Sequence, residues 1–181
     1  MKRICVLTAM ALLIALSSGK MVTAAPATPV PEMQANWTPW AFEIGTWVCH
    51  GTVTGRPGDR METDVNSMAF DNHWMVTKFD SPPFDPKRTK HSIGVNYLSW
   101  DADNHLWYGW GADNFGGANG YGTSPGWSGD TITTTFYTMK NGSWTNMGRQ
   151  VTTKVSDAML RDVTYDQNGQ LAFKDVCKKQ M

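Results

Sequence analysis

The chain has 181 residues, 16 basic and 16 acidic side chains, and a formal net charge of zero. This balance argues against a nucleic-acid-binding protein, which needs a basic patch to neutralise phosphates. The length of the chain fits one domain with a real core.

The first residues have the order of a secretory signal peptide. Lys2 and Arg3 give a positive start, an apolar run follows over residues 4–16, and small residues lead to Ala24. The apolar run is shorter than the roughly 20 residues that a membrane-spanning helix needs. We therefore expect residues 1–24 to be a cleaved signal peptide and the protein to be exported, to the periplasm or outside the cell, without a membrane anchor.

Removal of residues 1–24 would change the charge and the cysteine count. Three basic side chains would leave with the peptide and no acidic one, so 13 basic and 16 acidic side chains would remain. Cys5 would also leave, which keeps Cys49 and Cys177. In an oxidising compartment an even pair predicts a disulfide.

After a loose leader over residues 25–37, the remaining chain, 38–181, is predicted to be one β domain. Thr38-Pro39 predicts a short helical turn, because proline suits the first helical position. Short runs rich in Thr, Val, Tyr, Phe and Trp then predict strands. They cover residues 44–54, 61–70, 73–80, 90–100, 105–112, 118–124, 130–139, 144–156, 158–166 and 170–177.

Most connections between these strands are short, as at Asn141-Gly142 and Asn168-Gly169, which are typical hairpin turns. The fold class is therefore all-β, a single antiparallel meander. Cys49 lies in the first strand and Cys177 in the last, and a disulfide between them requires these strands to be neighbours. The meander is thus predicted to close into a roughly ten-stranded barrel, which also removes its exposed edges.

Gly45-Thr46-Trp47, just after the helical turn, resembles the Gly-x-Trp opening of the calycins, which include lipocalins, fatty-acid-binding proteins and nitrobindins. The segments "GTSPGWSGDTITTTF" (122–136) and "MGRQVTTKVSD" (147–157) resemble more narrowly a family of exported bacterial proteins with a lipocalin-like barrel and no established function. This resemblance covers residues 38–178. It implies a calycin-like barrel, export, and a tryptophan that closes one end of the barrel.

No catalytic or metal site is predicted. Gly122-Thr-Ser124-Pro-Gly126 matches a nucleophile elbow, but no helix follows and Pro125 has no N–H for an oxyanion hole. The four histidines lack metal-ligand spacing, and none follows His105, whereas the haem-binding histidine of nitrobindins belongs to a late strand. Asp64 or Asp162 could join Glu62 as a carboxylate pair, but nothing in the spacing selects them.

The nine tryptophans carry the functional prediction. They could simply fill the barrel, or they could line a pocket for a small apolar ligand, since small barrels hold one ligand in their interior. We favour the pocket, without catalysis and without a cofactor. From strand parity its predicted lining is Trp47, Met75, Tyr97, Tyr108, Trp110 and Phe136. The alternative is an aromatic outer face that binds polysaccharide or a partner protein. The sequence leaves the ligand and the oligomeric state open.

Overall fold

The structure is a computed structural model that describes residues 35–84, 89–116 and 120–181. The predicted signal peptide and almost all of the leader lie outside these residues. A short 3₁₀-helix and ten strands follow in chain order. They are η1 (Thr38–Glu43), β1 (Gly45–Val53), β2 (Asp59–Ala69), β3 (Trp74–Ser81), β4 (Ser92–Asp101), β5 (Leu106–Asp113), β6 (Tyr121–Ser124), β7 (Thr131–Lys140), β8 (Ser143–Ser156), β9 (Met159–Asp166) and β10 (Leu171–Lys179).

The ten strands form one closed antiparallel barrel, as predicted. Each strand pairs with its neighbours in sequence, and β1 pairs with β10 to complete the circle. Cys49 and Cys177 lie directly opposite each other in that last pairing and form a disulfide. The bond joins residues 128 positions apart, so it fixes the first and last strands together.

Alternation along the strands divides the residues between the barrel interior and its outer surface. Trp47 and Cys49 on β1, Met75 on β3 and Trp107 on β5 point inward and are buried. Their immediate neighbours in sequence therefore point outward. Ile132, on β7, completes the buried apolar set with Met75 and Trp107.

The 3₁₀-helix η1 covers one end of the barrel, which we call the floor. It begins at Thr38, with Pro39 in the first turn, and Trp37 precedes it. Trp40 is its buried residue, and its ring lies 4.9 Å from that of Trp107. A helix this short has little intrinsic stability. Its aromatic contacts with the barrel therefore stabilise the floor.

The predicted strand positions are close to the observed ones. Among the strand starts, the predicted and observed first residues differ most in β6, which begins at Tyr121 rather than at residue 118. The last strand runs two residues beyond its predicted end, to Lys179. None of the helical turns in the described part of the chain is long and apolar enough to cross a membrane.

Candidate ligand-binding cavity

The interior of the barrel holds a cavity of about 790 Å³. This volume falls within the range of roughly 300–1,000 Å³ that small-molecule sites occupy. The wall formed by β3 to β7 is mainly apolar. Its lining side chains include Met75, Phe79, Leu98, Trp107, Ile132 and Phe136.

Glycines on the apolar wall leave room for their neighbours. A Cβ on Gly111 would lie 2.0 Å from Oδ1 of Asn96, and a Cβ on Gly94 would lie 2.4 Å from the Phe79 ring. Both distances are shorter than van der Waals contact, so a side chain at either position would displace an interior group. The absence of side chains at these places helps to keep the interior open.

The opposite wall, formed by β1, β2, β8, β9 and β10, carries two carboxyl groups and several other polar side chains beside apolar residues such as Trp47, Leu160 and Phe173. Asp64 and Asn66 of β2 line the cavity, as do Asp162 and Thr164 of β9. Gln150 and Thr152 of β8 also line it, and the Thr152 hydroxyl donates a hydrogen bond to Asp162. The cavity is therefore amphipathic, with an apolar wall facing a polar one.

Five carboxyl groups lie on or near this polar wall. They belong to Glu43, Glu62, Asp64, Asp162 and Asp175, which we call the acidic wall. Arg60 is paired with Asp175 and Glu62. Glu43, Asp64 and Asp162 have no ion pair with a cationic side chain among the described residues.

The disulfide lies between two of these carboxyl groups. Oδ2 of Asp64 is 3.9 Å from Sγ of Cys49, and Oδ2 of Asp162 is 3.5 Å from Sγ of Cys177. Both cysteines line the cavity. The bond joins β1 to β10, and Asp64 and Asp162 lie on β2 and β9, the strands that pair with them.

The protonation of the acidic wall is shifted by its surroundings. Burial, and then the charges of Asp162 and Asp64, raise the pKa of Glu43 from its ordinary 4.5 to about 8. Burial and the neighbouring Glu62 charge raise the pKa of Asp64 from 3.8 to about 7, although Arg60 opposes the shift. Loss of water disfavours the charged form, and nearby like charges add to that effect.

The other three members of the wall follow the same rule. Burial raises the pKa of Glu62 and of Asp175, while the Arg60 charge acts in the opposite direction on both. Burial also raises the pKa of Asp162, against the hydrogen bond from Thr152. Close to neutral pH the wall therefore holds protons that free carboxyl groups would have lost.

Hydrogen bonds tie the floor to the acidic wall. The indole N–H of Trp47 donates to the Glu43 carbonyl oxygen at 2.7 Å, and the Asn66 amide donates to the same oxygen at 3.0 Å. Trp47 is 2% exposed and packs against Phe42 and Trp127. It thus occupies the closing position that the Gly-x-Trp resemblance implies.

The predicted lining residues fall into two groups. Trp47, Met75 and Phe136 point inward and line the cavity. Tyr97 and Trp110 border it, but strand alternation directs their rings to the outer surface, where they stack at 4.7 Å. Whether any of them binds a ligand stays a prediction.

Tyr108 is the clear correction, because it is not among the lining residues. The sequence prediction divided β5 into two faces correctly but placed the face with Tyr108 and Trp110 inside. The inner face instead carries Trp107, Gly109 and Gly111. Because two of these three inner residues are glycines, the inner face looks less apolar in the sequence than the outer one. The prediction therefore chose the face with more aromatic residues, which is the outer one.

The acidic wall was missed as a unit. Arg60, Glu62, Asp64 and Asn66 alternate along β2 and all face inward, while Met61 and Val65 face outward and are about 40% exposed. The alternation was visible in the sequence. Its direction was not, since an apolar core normally predicts the opposite orientation.

An aromatic cluster covers part of the outer surface of β3 to β8. Its members are Trp74, Tyr97, Tyr108, Trp110, Tyr121, Tyr137 and Trp144. Tyr97 stacks on Trp110, and Tyr121 stacks on Tyr137 at 4.9 Å. These are cross-strand pairs of the kind that stabilise sheets.

Metal and haem ligands do not converge in the described part of the chain. No three side chains among its His, Cys, Asp and Glu residues are arranged to hold a metal ion. All four histidines are described, and none of them lines the cavity. The acidic wall is therefore an arrangement of carboxyl groups without the geometry of a metal centre.

Comparison with known proteins supports the fold. No family model matches the sequence, and no curated protein matches it either. The solved structures that it resembles include the crystal structure of Rv2717c from M. tuberculosis, with a TM-score of 0.58, 15% identity, and coverage of 82% of this chain and 99% of that one. Another is the S-type phycobiliprotein lyase CPES from Guillardia theta, with a TM-score of 0.47, 9% identity, and coverage of 78% and 92%.

At 15% identity, the likeness to Rv2717c shows a shared fold and says nothing about activity. The match covers 99% of the Rv2717c chain. The narrower resemblance to an exported family without known function stays a prediction. The closed ten-stranded barrel of this chain has a lipocalin-like fold.

Proposed function

We propose that the barrel binds one small, mainly apolar molecule in its interior and does not transform it. The observation that carries this proposal is the cavity of about 790 Å³ with an apolar wall on β3 to β7. Burial of apolar ligand surface there would provide roughly 25 cal/mol per Å² before the cost of association. The polar wall opposite would orient the ligand.

A matched pair of substitutions on β7 tests the proposal. Thr134 lines the cavity, whereas its neighbour Thr133 is not a lining residue and points outward. Thr134→Phe should fill part of the interior and weaken binding of N-phenyl-1-naphthylamine, a neutral apolar fluorophore, by about tenfold or more. Thr133→Phe should leave its affinity unchanged.

Fluorescence titration provides the measurement, with circular dichroism to confirm that both variants fold. Equal affinity in the two variants would show that the probe binds outside the barrel. No binding of the probe to the wild-type protein would also count against the proposal.

We also propose that the mature protein is exported. The order of residues 1–24 supports export, and so does a disulfide between Cys49 and Cys177, since such bonds persist in oxidising compartments. Amino-terminal sequencing of protein from its own host should begin at Ala25. A chain that retains Met1 would contradict this proposal.

The alternative, an aromatic outer face that binds sugars, receives less support. Sugars pack against the faces of aromatic rings. Here Tyr97 and Trp110 stack with an interplanar angle of 23°, and Tyr121 and Tyr137 with one of 17°, so these faces are largely engaged with each other. Trp144, half exposed, is the member best placed to contact a partner.

A further inference from the structure

The polar groups of the floor suggest what the polar end of the ligand is, and this inference rests on the proposed function. Trp40 and Glu43 are three residues apart in a 3₁₀-helix, where residues at that spacing project in the same direction. Both line the cavity. Asp64 lies on the same floor, because Trp47 is its direct partner in the β1–β2 pairing.

Several polar atoms of the floor have no partner within the described chain. Oδ1 of Asp64 and Oδ1 of Asn66 are buried acceptors without a donor. Trp40 is only 6% exposed, and its indole N–H is a buried donor without an acceptor. A buried polar group without a hydrogen bond costs about 1–3 kcal/mol, so the two acceptors on β2 indicate that a donor from outside the chain completes this part of the floor. The indole N–H of Trp40 requires an acceptor instead, as do those of Trp37 and Trp127.

The charges of the described groups indicate the sign of that group. The charged side chains on or beside the wall are Glu43 of η1, Arg60, Glu62 and Asp64 of β2, Lys154 of β8, Asp162 of β9, and Asp175 and Lys179 of β10. The Lys154 ammonium lies over the Phe42 ring and is paired with Asp157. Arg60 is engaged by Glu62 and Asp175, and the Lys179 ammonium donates to the Phe42 carbonyl oxygen at 2.8 Å. Within the described residues, Glu43, Asp64 and Asp162 form no ion pair with any of these cations.

Aromatic rings adjoin these carboxyl groups. Trp40, Trp47 and Trp107 all line the cavity at the floor. The face of a tryptophan ring attracts a cation, and the attraction is strongest where water is excluded. Carboxyl groups beside tryptophan rings form an environment suited to an organic ammonium ion. A compact, hydrated metal ion would instead need converging ligands, and these are absent from the described residues.

We infer that the ligand is a small amphiphilic amine, whose ammonium group binds at the floor between Glu43 and Asp64 and whose apolar part packs against the wall of β3 to β7. An ammonium group supplies the donors that the oxygens of Asp64 and Asn66 lack. It also offsets the mutual repulsion of the acidic wall. Because these acids carry raised pKa values, binding of the amine near pH 7 should release protons.

Two probes of equal chain length test the inference, octylamine and octan-1-ol. Each is titrated against protein loaded with N-phenyl-1-naphthylamine, and displacement is followed by fluorescence. Octylamine should bind about tenfold or more tightly than octan-1-ol, since charge-assisted hydrogen bonds add roughly 1.5–3 kcal/mol. Calorimetry in buffers of different ionisation enthalpy should show proton release with octylamine alone.

Substitutions then locate the ammonium group. The double variant Glu43→Gln with Asp64→Asn should lose the preference for octylamine over octan-1-ol, and with it the proton release. Asp59→Asn removes an exposed acid from the outward face of the same strand and is the matched control, which should bind as the wild type does. Circular dichroism confirms that the double variant is folded.

The outcomes separate the two proposals. Equal binding of octylamine and octan-1-ol, or a preference that survives in the double variant, overturns the amine inference and leaves the apolar site standing. If Asp59→Asn removes the preference for octylamine, the preference arises from surface charge, and the inference is overturned as well. Failure of both probes and of the fluorophore to bind overturns the proposed function itself.

Discussion

At the scale of single residues, the acidic wall is the unusual feature of this barrel. Asp64 and Glu43 are partly buried, line the cavity and lie near other acids. A buried carboxyl group in such surroundings prefers its neutral form. The wall therefore makes folding sensitive to pH, and the direction of that dependence follows from the raised pKa values.

The free energy of unfolding should fall as the pH rises from about 4 to about 8. In this window folded Asp64 and Glu43 hold protons that the unfolded chain has released, because their folded pKa values of about 7 and about 8 exceed their ordinary values. The stability is fully present at the acid end and is lost toward pH 8. Its size should be on the order of a few kcal/mol.

Urea unfolding at pH 5 and pH 8 measures the difference. The double variant Glu43→Gln with Asp64→Asn should show a smaller one, whereas Asp59→Asn should match the wild type. Stability that rises with pH over this range would contradict the assignment of these two residues.

At the scale of secondary structure elements, the β1–β10 pairing decides whether the sheet is closed. The disulfide between Cys49 and Cys177 closes a loop with a sequence separation of 128. The chain-entropy model assigns such a loop about 4–5 kcal/mol of stabilisation, less any strain. The same pairing joins the acids of β2 to those of β9 and β10.

The double variant Cys49→Ala with Cys177→Ala should therefore lose about 4 kcal/mol of unfolding free energy. The expected result is a lower urea midpoint than that of the wild type, and the wild type treated with a reductant under denaturing conditions should refold to the stability of the variant. A variant as stable as the disulfide-bonded protein would mean that β1 and β10 are held together by other contacts.

The strand β2 shows how far sequence could predict an element. Its existence, and the alternation of its side chains, were predictable from residues 61–70. Its orientation was not, because the polar residues Glu62 and Asp64 face inward while Val65 faces outward. A rule that places apolar residues inside predicts the opposite orientation of β2. That rule takes no account of the polar groups that line a cavity.

At the scale of the whole molecule, closure was predictable and the contents of the barrel were not. Ten short strands, tight turns and a cysteine at each end suffice to predict a closed sheet. The acidic wall depends on Glu43, Asp64 and Asp162, which are distant in sequence and meet only when the barrel closes. The inward face of β5 could not be predicted for another reason. It carries glycines, and a glycine in a strand can mark either a bulge or an open space.

A crystal structure of the mature protein grown with N-phenyl-1-naphthylamine tests the central claim, a hollow barrel that holds an apolar ligand, most directly. We predict electron density for the probe within the barrel, with its rings against Leu98 and Phe136. An interior filled by Phe79, Leu98 and Phe136, with the probe absent or bound on the outer surface, would contradict the account.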